Sequence, residues 1–331
     1  MNTYPLPQYI QLYPTDRCNQ DCAFCFNDRA GRSCDMPREN ALDLLDILGR
    51  HGIPALDIMG GEPFLLHWMP EYLHEAVRKG IMVNISTNGS FPELMGTFRG
   101  IPPHTLNIGV SLEGSTADRH NRLTRSLNFE KAVRSISALV SLGLDPIVKT
   151  VVSGRNRGDI QPVIDLLKGL GVRRYYLIHM DLFSRNPEER VHAHGFVEFM
   201  RLFDMIRAQN PGIAINRVHA SCFAKAVLPD HARCAGGVKK LSVMPDGSVY
   251  PCNLFHHAPE FRMGNIFSDD FADLWMSRKL DLFRAFERNR CRMTGCENFA
   301  SCTGGCPAHG YFHTGEVNSP DVRCMRLSRN K

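Results

Sequence analysis

The chain of 331 residues contains no run of 18 consecutive apolar residues, so no transmembrane helix is expected and no membrane partner with it. Met1 to Tyr13 holds no basic segment followed by a long apolar stretch, so no secretory signal is read there and a cytoplasmic location is expected. Charge of one sign is also lacking. Lys+Arg 39 against Asp+Glu 34 leaves a net charge of +5, too little to argue for a nucleic-acid partner. No internal repeat or low-complexity segment is visible. Cysteine is missing altogether between Cys34 and Cys222.

Elsewhere cysteine is plentiful. Of 12 in the chain, four lie between Cys18 and Cys34 and eight between Cys222 and Cys324. In a reducing compartment such density points to metal binding rather than disulfides. Thiolate-held clusters carry net negative charge, so the small basic surplus vanishes once they are counted.

The cysteine-free body alternates apolar runs with amphipathic stretches. Strands are expected at Tyr9–Tyr13, Ala55–Met59, Met82–Ser86, Thr105–Ser111, Asp145–Val152 and Arg173–Ile178. Helices are expected at Arg38–His51, around Trp68–Lys79, at Phe129–Leu142 and at Ile160–Leu170. Repeated strand–helix units imply a parallel sheet with right-handed crossovers. The predicted class is α/β, a partial (β/α)6 TIM-like barrel, with working residues at the carboxyl ends of the strands. Phe196–Ala208 reads as a helix and Pro211–His219 as a connector. Beyond it, Leu241–Met244 and Ser248–Tyr250 flank a Pro-Asp-Gly hairpin turn, and Phe271–Glu287 reads as one helix. Two domains are expected, 1–210 and a small cysteine-rich extension, 211–331.

Cys18, Cys22 and Cys25 have the spacing CxxxCxxC. Three thiolates on one short loop can occupy three corners of a cubane and leave one iron open to a small molecule. A zinc site completed by a remote ligand is the alternative on spacing alone. With Phe24 before the last cysteine, this motif resembles the signature of the radical S-adenosylmethionine (SAM) superfamily. The resemblance continues through Gly60-Gly61-Glu62-Pro63 after the second strand, Ser86-Thr87-Asn88-Gly89 after the third, and Ser111-Leu112-Glu113-Gly114 after the fourth. It implies a SAM-binding [4Fe–4S] cluster on Cys18, Cys22 and Cys25. It also implies a SAM pocket that includes Phe24, Gly60, Gly61, Glu62, Pro63, Ser86, Thr87, Asn88, Ser111 and Glu113. Arg122 and Arg125 are candidates for the SAM carboxylate, with solvated loop charges the alternative. The chemistry implied is one-electron cleavage of SAM to a 5′-deoxyadenosyl radical that abstracts a substrate hydrogen, with an external one-electron reductant such as flavodoxin or ferredoxin.

The tail resembles the SPASM extension of radical SAM peptide-modifying enzymes, which binds two auxiliary [4Fe–4S] clusters. The features that carry this are Gly247-Ser-Val-Tyr-Pro-Cys252, Met263-Gly264-Asn265-Ile266 and Cys302-Thr-Gly-Gly-Cys306. By position, Cys234, Cys252 and Cys306 would hold the first auxiliary cluster, with Cys222 a candidate fourth ligand. Cys291, Cys296, Cys302 and Cys324 would hold the second. Cys34 belongs to no motif and is expected to be a buried apolar residue. Asn253 stands where sulfatase-maturing members have a basic aspartate, which argues against that activity. The catalytic base is left unassigned.

The expected substrate is a ribosomally synthesised peptide being oxidatively modified or crosslinked. The motif begins by residue 18, so a separate leader-binding protein or direct binding is expected. The alternatives are a small-molecule substrate, such as a sugar or tetrapyrrole, and a non-enzymatic iron–sulfur scaffold or carrier.

Overall fold

The computed structural model describes residues 4–27, 34–102, 104–182, 187–218, 234–284 and 304–324. Its contacts divide the chain into two compact units: 13–45 with 55–218, and 1–12 with 46–54 and 219–331.

In the larger unit six strands run parallel. They are β2 (Ala55–Ile58), β3 (Met82–Thr87), β4 (Leu106–Ser111), β5 (Ile147–Val152), β6 (Arg174–His179) and β7 (Ala214–Val218), each paired with the next in sequence order. The crossovers carry helices α2 (Met69–Arg78), α3 (Ala117–Thr124), α4 (Phe129–Ser141), α5 (Ile160–Gly169) and α6 (Phe196–Gln209). Earlier in the sequence come β1 (Tyr9–Leu12), which belongs to the smaller unit, and α1 (Arg38–Arg50). Alternate strand residues point to opposite faces. One face, with Ile58, Val83, Ile85, Val110, Val148 and Leu177, is fully buried, and α2 packs on β3 and α4 on β4. The other face is half-buried and polar, with Asp57, Ser86, Ser111, Lys149 and Tyr176. This is the expected partial TIM-like α/β arrangement.

Three expectations are corrected. The connector 211–219 contains β7, a parallel strand paired with β6; its Asn216 and Arg217 break the apolar run by which strands are recognised. The polar helix α3 was not foreseen. The single helix expected over Phe271–Glu287 is broken into α7 (Phe271–Trp275) and α8 (Asp281–Arg284), and residues 285–287 lie outside the described residues. Ser277 has extended backbone and accepts from Lys279 N, which ends one helical turn and starts the next.

In the smaller unit β1 pairs parallel with β8 (Lys240–Val243), and β8 pairs antiparallel with β9 (Ser248–Tyr250), which continues to β10 (Gly264–Asn265). The hairpin between β8 and β9 turns at Gly247, whose φ of 81° suits glycine. Gln11 Oε1 accepts from Lys240 Nζ at 2.8 Å and Ser242 Oγ at 3.0 Å, fixing the β1–β8 register. The helix α9 (Pro307–Thr314) lies in the last described segment of this unit and is ended by Gly315 at φ 81°.

Candidate functional site

The three cysteines of the first motif lie on the loop that leaves β1, and backbone hydrogen bonds tie the loop down on two sides. Gly61 N donates to Thr15 O at 2.9 Å and Glu62 N to Arg17 O at 2.8 Å, so the Gly60–Glu62 turn runs against the chain leading into Cys18. A Cβ on Gly61 would overlap the Arg17 carbonyl, and one on Gly60, at φ 127°, would reach Thr15 O at 2.5 Å. Only glycine permits that approach. On the far side, Asp21 N and Ala23 N donate to Thr124 O and Leu123 O at the end of α3. The unforeseen helix is thus the wall against which the cysteine loop rests.

Glu62 is fully buried. Its carboxylate accepts from Asn88 N at 2.7 Å, Thr87 Oγ1 at 2.8 Å and Phe64 N at 3.1 Å. Loss of solvent pushes its pKa up to about 7, against the pull of these hydrogen bonds. Pro63 opens the short 3-10 helix that Glu62 caps. The glutamate therefore staples the end of β3 to the Gly60–Gly61 turn.

Asn88 joins this staple to the cysteines. Its Nδ2 donates to Asn19 Oδ1 at 2.7 Å and lies 3.8 Å from Cys18 Sγ. Its carbonyl accepts from Asn128 Nδ2 at 2.7 Å, and Asn128 Oδ1 accepts from Ser90 Oγ. Gly89, at φ 73°, packs against Ala132 of α4. An Asn19–Asn88–Asn128 chain thus runs from the cysteine loop to α4. Asn88 was expected from its motif, but Asn19 and Asn128 were not, because isolated asparagines read as turn residues in a sequence.

Ser111 and Glu113 flank the end of β4. Glu113 accepts from Val151 N at 2.9 Å, and burial pushes its carboxyl up to about 8. Its own N–H donates to His120 Nδ1 at 3.1 Å, and a side chain on Gly114 would strike His120 N. His120 is fully buried, its Nε2 has no partner among the described residues, and burial lowers its pKa to about 4. Arg122 pairs with Asp118 at 2.6 Å and Arg125 with Asp21 at 3.6 Å, so both SAM-carboxylate candidates hold carboxylates of the protein itself.

The donor set fits an iron–sulfur cluster. Cys18, Cys22 and Cys25 are each half-exposed on one loop, with Cys25 N donating to Cys22 O. The buried Nδ2 of Asn27, two residues past Cys25, has no partner among the described residues. Asn88 Nδ2 approaches Cys18 Sγ, the placement of donors around the sulfurs of such clusters. Among the described residues no three His, Cys, Asp or Glu side chains gather as ligands of a single ion would, a convergence that a cubane does not need. Cys34 is half-exposed rather than buried; its carbonyl accepts from Asp16 N at the start of the loop.

In the smaller unit, Gly236 sits between two cysteines: a Cβ there would lie 3.3 Å from Cys252 Cβ and 3.5 Å from Cys234 Sγ. Cys306 and Cys324 meet around Asp321, whose carboxylate accepts from Cys306 N and whose carbonyl accepts from Cys324 N. Asp321 and Arg323 form a buried ion pair at 2.9 Å that holds the aspartate carboxyl well below its usual range, against desolvation. Cys222, Cys291, Cys296 and Cys302 lie outside the described residues. Asn253 is buried with its Oδ1 3.2 Å from Cys252 Sγ.

The family model described as Radical SAM superfamily matches residues 12–167, and that described as Iron-sulfur cluster-binding domain (SPASM) matches 234–303. The chain carries a radical SAM domain followed by a SPASM domain. Among curated relatives, the antilisterial bacteriocin subtilosin biosynthesis protein AlbA of Bacillus subtilis is 25% identical over 93% of this chain and 69% of its own. An AdoMet-dependent heme synthase of Methanosarcina barkeri is 25% identical over 96% of each. The fold is shared with Streptococcus suis SuiB, solved bound to its precursor peptide SuiA. That likeness has a TM-score of 0.82 at 16% identity, covering 96% of this chain and 76% of SuiB. As a radical SAM protein with a SPASM domain, the chain is an enzyme that uses SAM and a [4Fe–4S] cluster and binds iron–sulfur in its C-terminal part as well. Among the described residues no helix is long and apolar enough to cross a membrane.

Proposed function

We propose that this radical SAM enzyme oxidatively modifies or crosslinks a ribosomally synthesised peptide in the cytoplasm. The observation that carries the radical chemistry is the joining of the cysteine loop, the Gly60–Glu62 turn and Asn88 by one continuous set of hydrogen bonds. Cys18, Cys22 and Cys25 would hold the cluster. Phe24, Gly60, Gly61, Pro63, Ser86, Thr87, Ser111 and Glu113 would form the SAM pocket around the Glu62–Asn88 staple. When bound, the cluster supplies the electron that splits SAM into methionine and a 5′-deoxyadenosyl radical able to take a hydrogen atom from substrate. The protein's part is to keep the loop rigid and the pocket dry.

Residues 1–210 would do this chemistry and 211–331 would carry two auxiliary clusters on Cys222, Cys234, Cys252, Cys291, Cys296, Cys302, Cys306 and Cys324. Such clusters suit a net oxidation, because the substrate radical has an electron to lose. AlbA's role in bacteriocin biosynthesis and SuiB's precursor peptide favour a peptide substrate, met directly or through a separate leader-binding protein. An external reductant such as flavodoxin or ferredoxin would prime the first cluster. The heme synthase, of matching length, supports the second reading, a tetrapyrrole or other small molecule.

Anaerobic reconstitution with SAM and a reductant is expected to release 5′-deoxyadenosine. With a deuterated candidate peptide, the label is expected in that product. Label transfer from a tetrapyrrole but from no peptide would overturn the peptide reading.

A further inference from the structure

The half-buried face of the parallel sheet carries a buried amine that the motif leaves unexplained. Asp57, Ser86, Gly109 and Lys149 lie on this same face of four successive strands. The register pairs Ser86 with Gly109, and Ser111 with Lys149. Lys149 does not point outward to water. Its chain crosses β4 to place Nζ 2.7 Å from Ser86 Oγ on β3. The crossing uses the space that a side chain at 109 would fill: a Cβ there would overlap Lys149 Cε and lie 2.6 Å from Nζ. Burial pushes the amine below its usual range, and the Asp57 charge from β2 pulls it back toward the ammonium.

An ammonium has three hydrogens and no lone pair. Ser86 Oγ must therefore accept, and its own hydrogen is free to be aimed elsewhere. Ser86 immediately precedes Thr87 and Asn88, the two residues that grip Glu62. A hydroxyl polarised by a buried cation and fixed in direction is a preorganised donor for an oxygen-bearing ligand.

We infer that Lys149 is a positioning residue for SAM, acting through Ser86, and that Gly109 exists to let it cross the sheet. The inference rests on the SAM-binding reading above and assigns Lys149 no contact with the reacting atoms.

The test is the dissociation constant of SAM, measured without turnover on the anaerobic cluster-loaded protein. Lys149→Ala and Ser86→Ala are each expected to weaken SAM about tenfold, and the double variant no more than the weaker single one, because the two act as a unit. Gly109→Ala is expected to cost a similar factor in the presence of Lys149 and almost nothing in Lys149→Ala, where the space has been vacated. Iron and sulfide content should stay at the wild-type level throughout. A thermal midpoint that drops while SAM affinity holds, or losses that multiply in the double variant, would overturn the inference and leave Lys149 a structural residue. If Lys149→Ala does not fold, Ser86→Ala decides alone: wild-type affinity there sinks the proposal. Failure of the wild type itself to bind SAM would instead strike the proposed function.

Discussion

Glu113 is a carboxyl group deprived of water, and its cost is visible in a pH series. Its folded pKa of about 8 stands above the ordinary 4.5. An unfolded chain releases this proton above pH 4.5, while the folded protein keeps it to about 8. The folded state binds more protons in that window, so the stabilisation present at low pH is lost as pH rises through the folded value. Glu113→Gln keeps an oxygen for Val151 N and removes the titration. Wild type is therefore expected to lose about 3 kcal/mol relative to that variant between pH 6 and 9, read by urea unfolding of the anaerobic, cluster-loaded protein. Glu62 titrates in the same sense toward about 7, and its contribution cancels in the comparison. Asn88 offers a second residue-scale test. Asn88→Ala removes donors to Asn19 and Cys18 and the acceptor for Ser90 N. Two of these reach the cysteine loop; at about 1 kcal/mol each, iron release to a chelator is expected to quicken about thirtyfold. An unchanged release rate would remove Asn88 from the support of the cluster.

At the scale of elements, the turn at Gly60 and Gly61 is the most exacting. Gly61→Ala drives a methyl group into the Arg17 carbonyl, which a backbone cannot yield as a flexible side chain would. A cost of about 3 kcal/mol is expected from the overpacking, together with poor loading of the first cluster alone, seen as lost SAM-perturbed EPR signal while the remaining iron persists. The elements that sequence patterning found are those with apolar periodicity, such as α4 with Ala132, Ile136 and Leu139 buried. Those it missed are polar. In α3 only His120, Leu123 and Thr124 are buried, too few to mark a helical face. In β7 the ladder is set by pairing with β6 rather than by the strand's own residues. The site divides the same way. Cysteine spacing and the paired glycines announce themselves, because few other roles need them. Lys149 does not: a lysine in a strand reads as a solvent-facing residue until the empty position at Gly109 is seen beside it.

The smaller unit is held partly by a buried polar pair only two residues apart in sequence. Asp321 and Arg323 fasten the chain around Cys306 and Cys324, with the aspartate fully buried. Asp321→Asn leaves the guanidinium buried without its charge partner, a loss of about 3–5 kcal/mol. The expected result is a C-terminal unit that loses its share of iron–sulfur while the first cluster still binds SAM. Iron analysis and SAM binding separate the two. The converse variant, Cys18→Ala with Cys22→Ala and Cys25→Ala, should abolish 5′-deoxyadenosine release and lower iron by about a third, if three four-iron clusters are present.

The pairing of β1 with β8 also has a consequence for biosynthesis. Tyr9–Leu12 emerges from the ribosome about 230 residues ahead of Lys240–Val243, the strand that fixes its register. At roughly 5–20 residues per second, translation delivers that partner about 10–50 s late. Throughout this delay a nascent chain carries β1 without this partner, directly upstream of the first cysteine motif. Chaperone occupancy on stalled chains should therefore peak before codon 240 and fall once β8 is released.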